Sequence, residues 1–358
     1  MLISKINTTS FSSKIIDAHT HSGHWDKPSA GSVNGAEPYT LNDIFERADK
    51  VSTDGDEICK VIISNLDCIK EENGKPLADE LSGNLQLLAE CKDNPRAAAL
   101  AVCQPKTGNV ANIKKLFAEN PGGFVGLKFH PLNSGLIASN EKYIPYLKFA
   151  QEKGLPCLFH SQVNVNDNGK LIKSNLNIAD PEIIYKSAKK VPKTPVIIGH
   201  MGAGWGEAHQ KTVDIIIQSL EKGDANLYAD ISWVDFNNPA KPALLDAIDR
   251  LMHTTQGDKT DRLLFGTDAP IAEFYGDTEL YPRVVRETKA AIRGRFGDKA
   301  DELIEKIFYK NANELFFAPK NNAKQAFSKT KIGAALAGSL AVIGGIFYAS
   351  SYSKSKKV

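Results

Sequence analysis

Eight short apolar runs recur along the chain, each bounded by proline, glycine, asparagine or a charged residue: KIIDAHTH (14–21), KVIISNLD (60–67), RAAALAVCQP (96–105), GFVGLKFHP (123–131), LPCLFHS (155–161), TPVIIGHMG (194–202), NLYADISW (226–233) and RLLFGTDAP (262–270). They are nearly continuous in hydrophobicity rather than alternating, as expected of strands covered on both faces. Helix-like stretches lie between them. One is DPEIIYKSAKK, in which Asp180 can cap and Pro181 suits the first turn; others run over 206–222 and 242–253. Alternation of this kind predicts a parallel sheet covered by helices. Eight units within about 300 residues predict an α/β fold of the (β/α)8 TIM-barrel type rather than an open doubly wound sheet. Neither an internal repeat nor a low-complexity linker precedes residue 318.

In such a barrel, chemistry collects where the strands end. His19 and His21 end the first run, Lys128 and His130 the fourth, His160 the fifth, His200 the sixth and Asp268 the eighth; of eight histidines, three (His24, His209 and His253) lie away from strand ends. The two-residue period of an extended chain puts His19 and His21 on one face, with Asp17 sharing it. Two imidazoles so placed can bind one divalent ion through bonds of about 2.0–2.1 Å. Histidines satisfied singly in a core would not gather at strand ends in this way. Asp17 reads equally as support for that metal shell and as a structural acid deeper in the strand.

Composition narrows the function. The 358 residues are 42% hydrophobic, enough for a globular body with a sizeable core. The formal charge of +2 conceals an uneven distribution: residues 319–358 hold seven lysines and no acid, and the remainder carries 37 basic against 42 acidic residues. A slightly acidic body excludes a nucleic-acid partner, which needs a clustered basic face. The five cysteines (Cys59, Cys68, Cys91, Cys103 and Cys157) lack CxxC spacing, as expected of free thiols in a reducing compartment.

Residues 1–14 lack a continuous apolar segment of the secretory kind. At the other end, residues 332–349 (IGAALAGSLAVIGGIFYA) are uncharged, and as a helix would span about 27 Å. Gly333, Ala337, Ala341 and Gly345 form a small-residue stripe that suits pairing with a second copy, and lysines flank the segment on both sides. The expected organisation is a barrel over 1–318, a lysine-rich linker over 319–331, a single hydrophobic helix over 332–349 acting as a membrane tail anchor, and a basic tail over 350–358. The catalytic body would then be cytoplasmic and membrane-associated.

Taken in order, DAHTH, GLKFHP, LFHS, IIGHMG, FGTDAP and a closing NANELF resemble the amidohydrolase superfamily, specifically its amidohydrolase-2 branch of metal-dependent TIM-barrel hydrolases and decarboxylases. The resemblance covers roughly residues 14–318. It implies that His19, His21, His160 and Asp268 bind the metal and that His200 is a catalytic base or polariser. It also implies that Lys128 is either carboxylated and bridges two ions or, with one ion bound, pairs with a substrate carboxylate; the one-metal form is favoured. His130 either lines the mouth with Lys128 or shapes the turn at Pro131. The donor set of nitrogen and oxygen without thiolate suits Zn²⁺ and tolerates Mn²⁺, Fe²⁺ or Co²⁺.

The expected activity is hydrolysis of a small-molecule amide, ester or lactone by metal-activated water, with His200 or Asp268 accepting the proton. Non-oxidative decarboxylation of a small carboxylic acid is the alternative reaction, and a non-catalytic, membrane-tethered binding barrel is the alternative of another class. Loops 22–43 (His24, Trp25), 161–179, 202–208 and 269–281 (Phe274, Tyr275) would choose the substrate, while Trp205 and Trp233 read as packing or pocket lining. GAGWG at 202–206 is one residue short of the GxGxxG dinucleotide fingerprint and follows a candidate catalytic histidine, so it is not read as one.

Overall fold

The computed structural model describes residues 13–24, 38–69, 71–72, 75–172, 177–203, 206–271 and 279–318. Its main feature is one parallel sheet in sequence order: β1 (Ser13–Ser22), β2 (Asp56–Asn65), β3 (Ala97–Val102), β4 (Phe124–Phe129), β5 (Cys157–Phe159), β6 (Pro195–Ile198), β7 (Asn226–Asp230) and β8 (Leu263–Leu264). All eight predicted runs contain a strand of this sheet. Helices alternate with them: α1 (Leu41–Ala48), α2 (Ser82–Cys91), α3 (Val110–Glu119), α4 (Ile144–Lys153), α5 (Pro181–Ala188), α6 (Glu207–Lys222), α7 (Pro242–Met252) and α8 (Leu280–Phe296). Local signals place them as expected. Asp180 caps α5 by accepting from the Glu182 amide, with Pro181 in its first turn.

The sheet curls until its first and last strands meet. Ala18 N–H donates to Phe265 O (2.9 Å), His21 N–H to Ala269 O (2.7 Å), and Asp268 N–H to His19 O (2.8 Å). Thr20 and Ala269 form an isolated parallel bridge. The result is a nearly closed eight-stranded barrel with helices outside.

Two apolar layers fill it. The larger lies between sheet and helices and includes Ile15, Val61, Ile63, Leu127, Phe129 and Phe159. The smaller lines the interior: Ile16, Ala18, Ile62, Ala98, Leu100, Leu158, Ile197 and Leu264 pack on Ala312 and Phe316 from the closing segment Asn311–Phe317. Asn311 ties that segment to the sheet, its amide donating to Thr260 O and Leu263 O at 2.8 Å each. The interior is therefore apolar at its floor.

One irregularity changes which residues face the interior. Asp17 pairs with Val61, but the next partners are Thr20 and Ile63, so β1 advances three residues where β2 advances two. The extra residue is a β-bulge, and it reverses the inward and outward alternation beyond it. Asp17, level with the outward Val61, faces the helices; His21, level with Ser64, faces the interior and pairs with the Ser64 hydroxyl at 2.8 Å. The expectation that Asp17 shares the histidines' face is thus corrected. Its carboxylate clamps the seam from behind, accepting from His19 N–H (3.1 Å), Thr267 N–H (3.0 Å) and the Thr267 hydroxyl (2.5 Å).

The expected hydrophobic helix at 332–349 and the lysine-rich linker before it lie outside the described residues. Among those residues no helix is long and apolar enough to cross a membrane, so membrane anchoring and the localisation built on it are withdrawn. The five cysteines are free.

Replacing Asp17 by Ala leaves three buried donors at the seam without an acceptor, and should lower stability by about 3 kcal/mol. Asp17→Asn should cost less, because burial pushes this carboxyl up to about 7 and an amide keeps one acceptor oxygen. Urea unfolding of both variants checks the order. Equal losses would show that the acceptor geometry is not what the seam depends on.

Candidate metal centre

Above the apolar floor, seven of the eight strands, all but β3, continue into polar residues. His19 and His21 come from β1, Ser64 from β2, Lys128 from β4 and Asp230 from β7; His160, His200 and Asp268 follow β5, β6 and β8. Every one of the sequence-predicted site residues stands at this end of the barrel. Space for the His19 ring depends on two glycines: a Cβ on Gly199 would lie 3.4 Å from His19 Cε1 and only 2.7 Å from Phe159 O, and one on Gly266 would lie 3.1 Å from His19 Cβ.

The rings touch in series. Centroids of His21 and His19 are 5.1 Å apart, His19 and His200 stack at 4.6 Å, His200 and His160 meet edge to face at 4.9 Å, and His160 stacks on His130 at 3.9 Å. The seam brings the carboxylate of Asp268 to this row: its Oδ1 lies 3.0 Å from His21 Nε2 and 3.5 Å from His19 Nε2, while Trp233 Nε1–H donates to Oδ2 at 2.6 Å. Trp233 also packs on Phe236 at 4.7 Å, so it serves both packing and the site.

Asp230 is the second acid. It meets His19 Nδ1 at 3.0 Å and accepts the backbone amides of His200 and Ser232 at 3.1 Å each, together with the Ser232 hydroxyl. Ser232 Oγ in turn lies 2.7 Å from His200 Nδ1. Lys128, fully buried, points Nζ at His19 Nε2 (2.5 Å). His130 accepts the Asn133 amide at Nδ1, which makes it the cap of the short turn Pro131–Ser134 as well as the end of the ring row. His200 and Asp268 both sit in the left-handed region, at φ 56° and 59°, conformations that L side chains adopt only under constraint.

Burial dominates the electrostatics. It pushes His19, His130 and His160 well below the ordinary imidazole range, lowers His21, and brings His200 to about 4, so all five rings are neutral at pH 7. Burial lowers Lys128 to about 8 against the pull of Asp268 and Asp230. For Asp268 burial acts upward, but His200 and the other rings outweigh it and hold the carboxyl well below its usual range.

Two observations fit a divalent cation. Imidazole nitrogens of His19 and His21 converge on one carboxylate oxygen at the separations that donors sharing an ion of about 2.0–2.2 Å bond length adopt. His160 Nε2, moreover, is a buried polar atom with no hydrogen-bond partner. The compact group whose donor atoms all lie within 4.8 Å of one another is His19, His200 and Asp268. His21 and His160, both expected among the ligands, are outside that group; His21 meets Asp268 at 3.0 Å, and His160 contacts His200, Nδ1 to Nε2 at 3.1 Å.

Asp230, Ser232 and Ser64 were missed in the sequence. Asp230 ends the seventh apolar run, and the strand-end rule that singled out the histidines would have found it. Of the expected loop residues, His24 pairs with Asp67 at 3.0 Å, whereas Trp25, Trp205, Phe274 and Tyr275 lie outside the described residues.

The family described as Amidohydrolase matches residues 16–318. Among curated proteins nothing matches. Solved structures of similar fold include an amidohydrolase from Burkholderia multivorans with bound zinc (12% identity, 85% of this chain and 99% of that chain covered, TM-score 0.58). A probable 2-pyrone-4,6-dicarboxylic acid hydrolase from Acinetobacter baumannii is 16% identical, with 84% and 98% covered and a TM-score of 0.53. A 2,6-dihydroxybenzoate decarboxylase from Rhizobium is 17% identical, with 85% and 98% covered and a TM-score of 0.55.

Neutral buried imidazoles make stability depend on pH with a definite sign. The unfolded chain binds protons at these histidines below about 6.5, whereas the folded chain does not until well below that, so their contribution is complete above about 6.5 and is lost as pH falls. Asp17, raised to about 7, and Asp230, also raised by burial, act in the opposite sense, two groups against five histidines. Metal-free protein should therefore lose about 3 kcal/mol between pH 7.5 and 5.5 in urea titrations. An unchanged midpoint would mean that the rings are solvated or charged.

Proposed function

The chain belongs to the amidohydrolase-2 family, and on that premise we propose that it is a one-metal hydrolase of a small-molecule amide, ester or lactone. The observation that carries the reading is the convergence of His19 and His21 on Asp268 across the barrel seam, with His200 completing a compact donor group with His19 and Asp268. In this reading His19, His21, His160 and Asp268 hold the ion, with Zn²⁺ the best match to the donors. When bound, such an ion polarises a carbonyl and lowers the pKa of water toward about 7.

The chain's own residues supply the rest. His160 takes the ligand role because its Nε2 is the open one. Both nitrogens of His200 are already engaged, by Ser232 and His160, which suits a ring that carries a proton rather than a permanent ligand. Its Nε2 exchanges the contact with His160 for one with the attacking water, accepts that water's proton and returns it to the leaving group, while Ser232 holds the other side of the ring. Trp233 keeps Asp268 aimed at the row by holding its second oxygen.

A second reaction has one observation in its favour. The buried Lys128 ammonium offers a substrate carboxylate a partner inside the mouth, which suits decarboxylation of a small acid. The two reactions share ligands and differ in substrate.

Purified protein reconstituted with Zn²⁺ should hold one ion per chain. His19→Ala and Asp268→Ala should lose metal and turnover together, whereas His200→Asn should keep the ion and lose about 10²–10⁴-fold in turnover. A panel of amides, esters, lactones and aromatic acids, with hydrolysis and CO₂ release measured separately, identifies the reaction. A wild-type protein that binds no divalent ion overturns the proposal, and CO₂ release without hydrolysis replaces it with the second reading.

A further inference from the structure

Asp230 is 0% exposed and belongs to neither the expected ligand set nor the compact donor group, yet it is the most heavily hydrogen-bonded side chain of the site. The direction of each of its bonds can be worked out. Oδ1 receives two backbone amides, from His200 and Ser232, so it is an acceptor. The Ser232 hydroxyl has one proton and gives it to the same oxygen. Ser232 Oγ can then meet His200 Nδ1 only as an acceptor, which puts the His200 proton on Nδ1. His200 Nε2 is left with a lone pair, and the only way to satisfy its 3.1 Å contact with His160 Nδ1 is for that nitrogen to carry the proton. His160 Nε2 is therefore unprotonated, and it is the buried atom that has no partner. On the other side, Oδ2 accepts from His19 Nδ1–H, leaving His19 Nε2 as the acceptor that Lys128 Nζ approaches.

We propose that Asp230 is a positioning residue that sets the proton positions of three imidazoles on three strands: His19 directly, His200 through Ser232, and His160 through His200. Each ring carries its proton on Nδ1 and presents an unprotonated Nε2. A second effect acts on the backbone, because the amide of His200 is held by Asp230 where the chain turns left-handed at His200 and Met201, φ 56° and 44°. The acid thus fixes both the proton and the direction of the ring that the proposed mechanism uses as proton carrier. This inference deepens the metal-dependent reading and rests on it for the meaning of the unprotonated Nε2 atoms, of which that of His160 is open, but not for the proton pattern itself.

The test is ¹⁵N NMR of the full chain labelled at histidine, metal-free and then titrated with Zn²⁺. Metal-free wild type should show His19, His200 and His160 with protonated Nδ1 and unprotonated Nε2, the tautomer that free histidine disfavours. Asp230→Asn should lose this pattern at His19 and His200 and weaken Zn²⁺ binding about 10–100-fold. Ser232→Ala separates the two arms: His200 and His160 should change, His19 should not, and Zn²⁺ affinity should fall by less than in Asp230→Asn. Ser232→Thr should restore the wild-type pattern. Should Asp230→Asn fail to fold, the Ser232 pair still decides the His200 arm. Nε2-protonated His19 or His200 in the wild type, or an Asp230→Asn spectrum identical to it, overturns the inference. A wild type that shows the pattern but binds no Zn²⁺ overturns the metal reading instead, so the two failures are distinct.

Discussion

The seam between β1 and β8 is the contact on which both the barrel and its mouth depend. The same few residues close the sheet and set the site: Asp268 N–H donates to His19 O, so the backbone bond that joins the two strands also brings a carboxylate beside an imidazole. Behind it, Asp17 draws the His19 and Thr267 amides onto one side chain. Without the bulge in β1, His21 would share the face of Asp17 and turn toward the helices. One inserted residue gives an apolar floor below and a nitrogen-lined mouth above.

The polar upper half is tolerable because its groups satisfy one another. An isolated charge in a buried setting is costly, and the chain meets that cost by keeping five rings neutral and giving Asp268 three close donors or rings and Asp230 four hydrogen bonds. Strain accompanies this arrangement. The left-handed backbone at His200, Asp268 and Trp233 falls on residues that contact the donors or are donors, where surrounding hydrogen bonds hold what the local chain would not choose.

Much of this was legible in the chain itself, and the reasons differ residue by residue. Strands buried on both faces leave long apolar runs, so all eight were visible, and histidines that interrupt such runs at their ends stand out. Asp17 was misassigned because alternation assumes an unbroken ladder, and a bulge leaves no mark in side-chain chemistry. Asp230 was overlooked for another reason: it lies in a strand whose histidine-free ending drew no notice, although its role comes from the partners that folding brings from β1 and β6. The ring order was also hidden. That His160 contacts His200 rather than joining the compact group is set by how the chain places the two rings beyond β5 and β6, which no spacing in the chain encodes.

The floor of the barrel has a consequence for how the molecule is made. Ala312 and Phe316, which close the interior from beneath, come last of all the barrel's parts, and Asp17 meets Thr267 only across 250 residues of intervening chain. A nascent polypeptide leaving the ribosome must carry its first strand, two histidines included, unpaired on one edge until nearly everything else has been synthesised. Whatever shelters that edge in the interval, a chaperone or the partial sheet itself, acts on the segment that will later hold the chemistry.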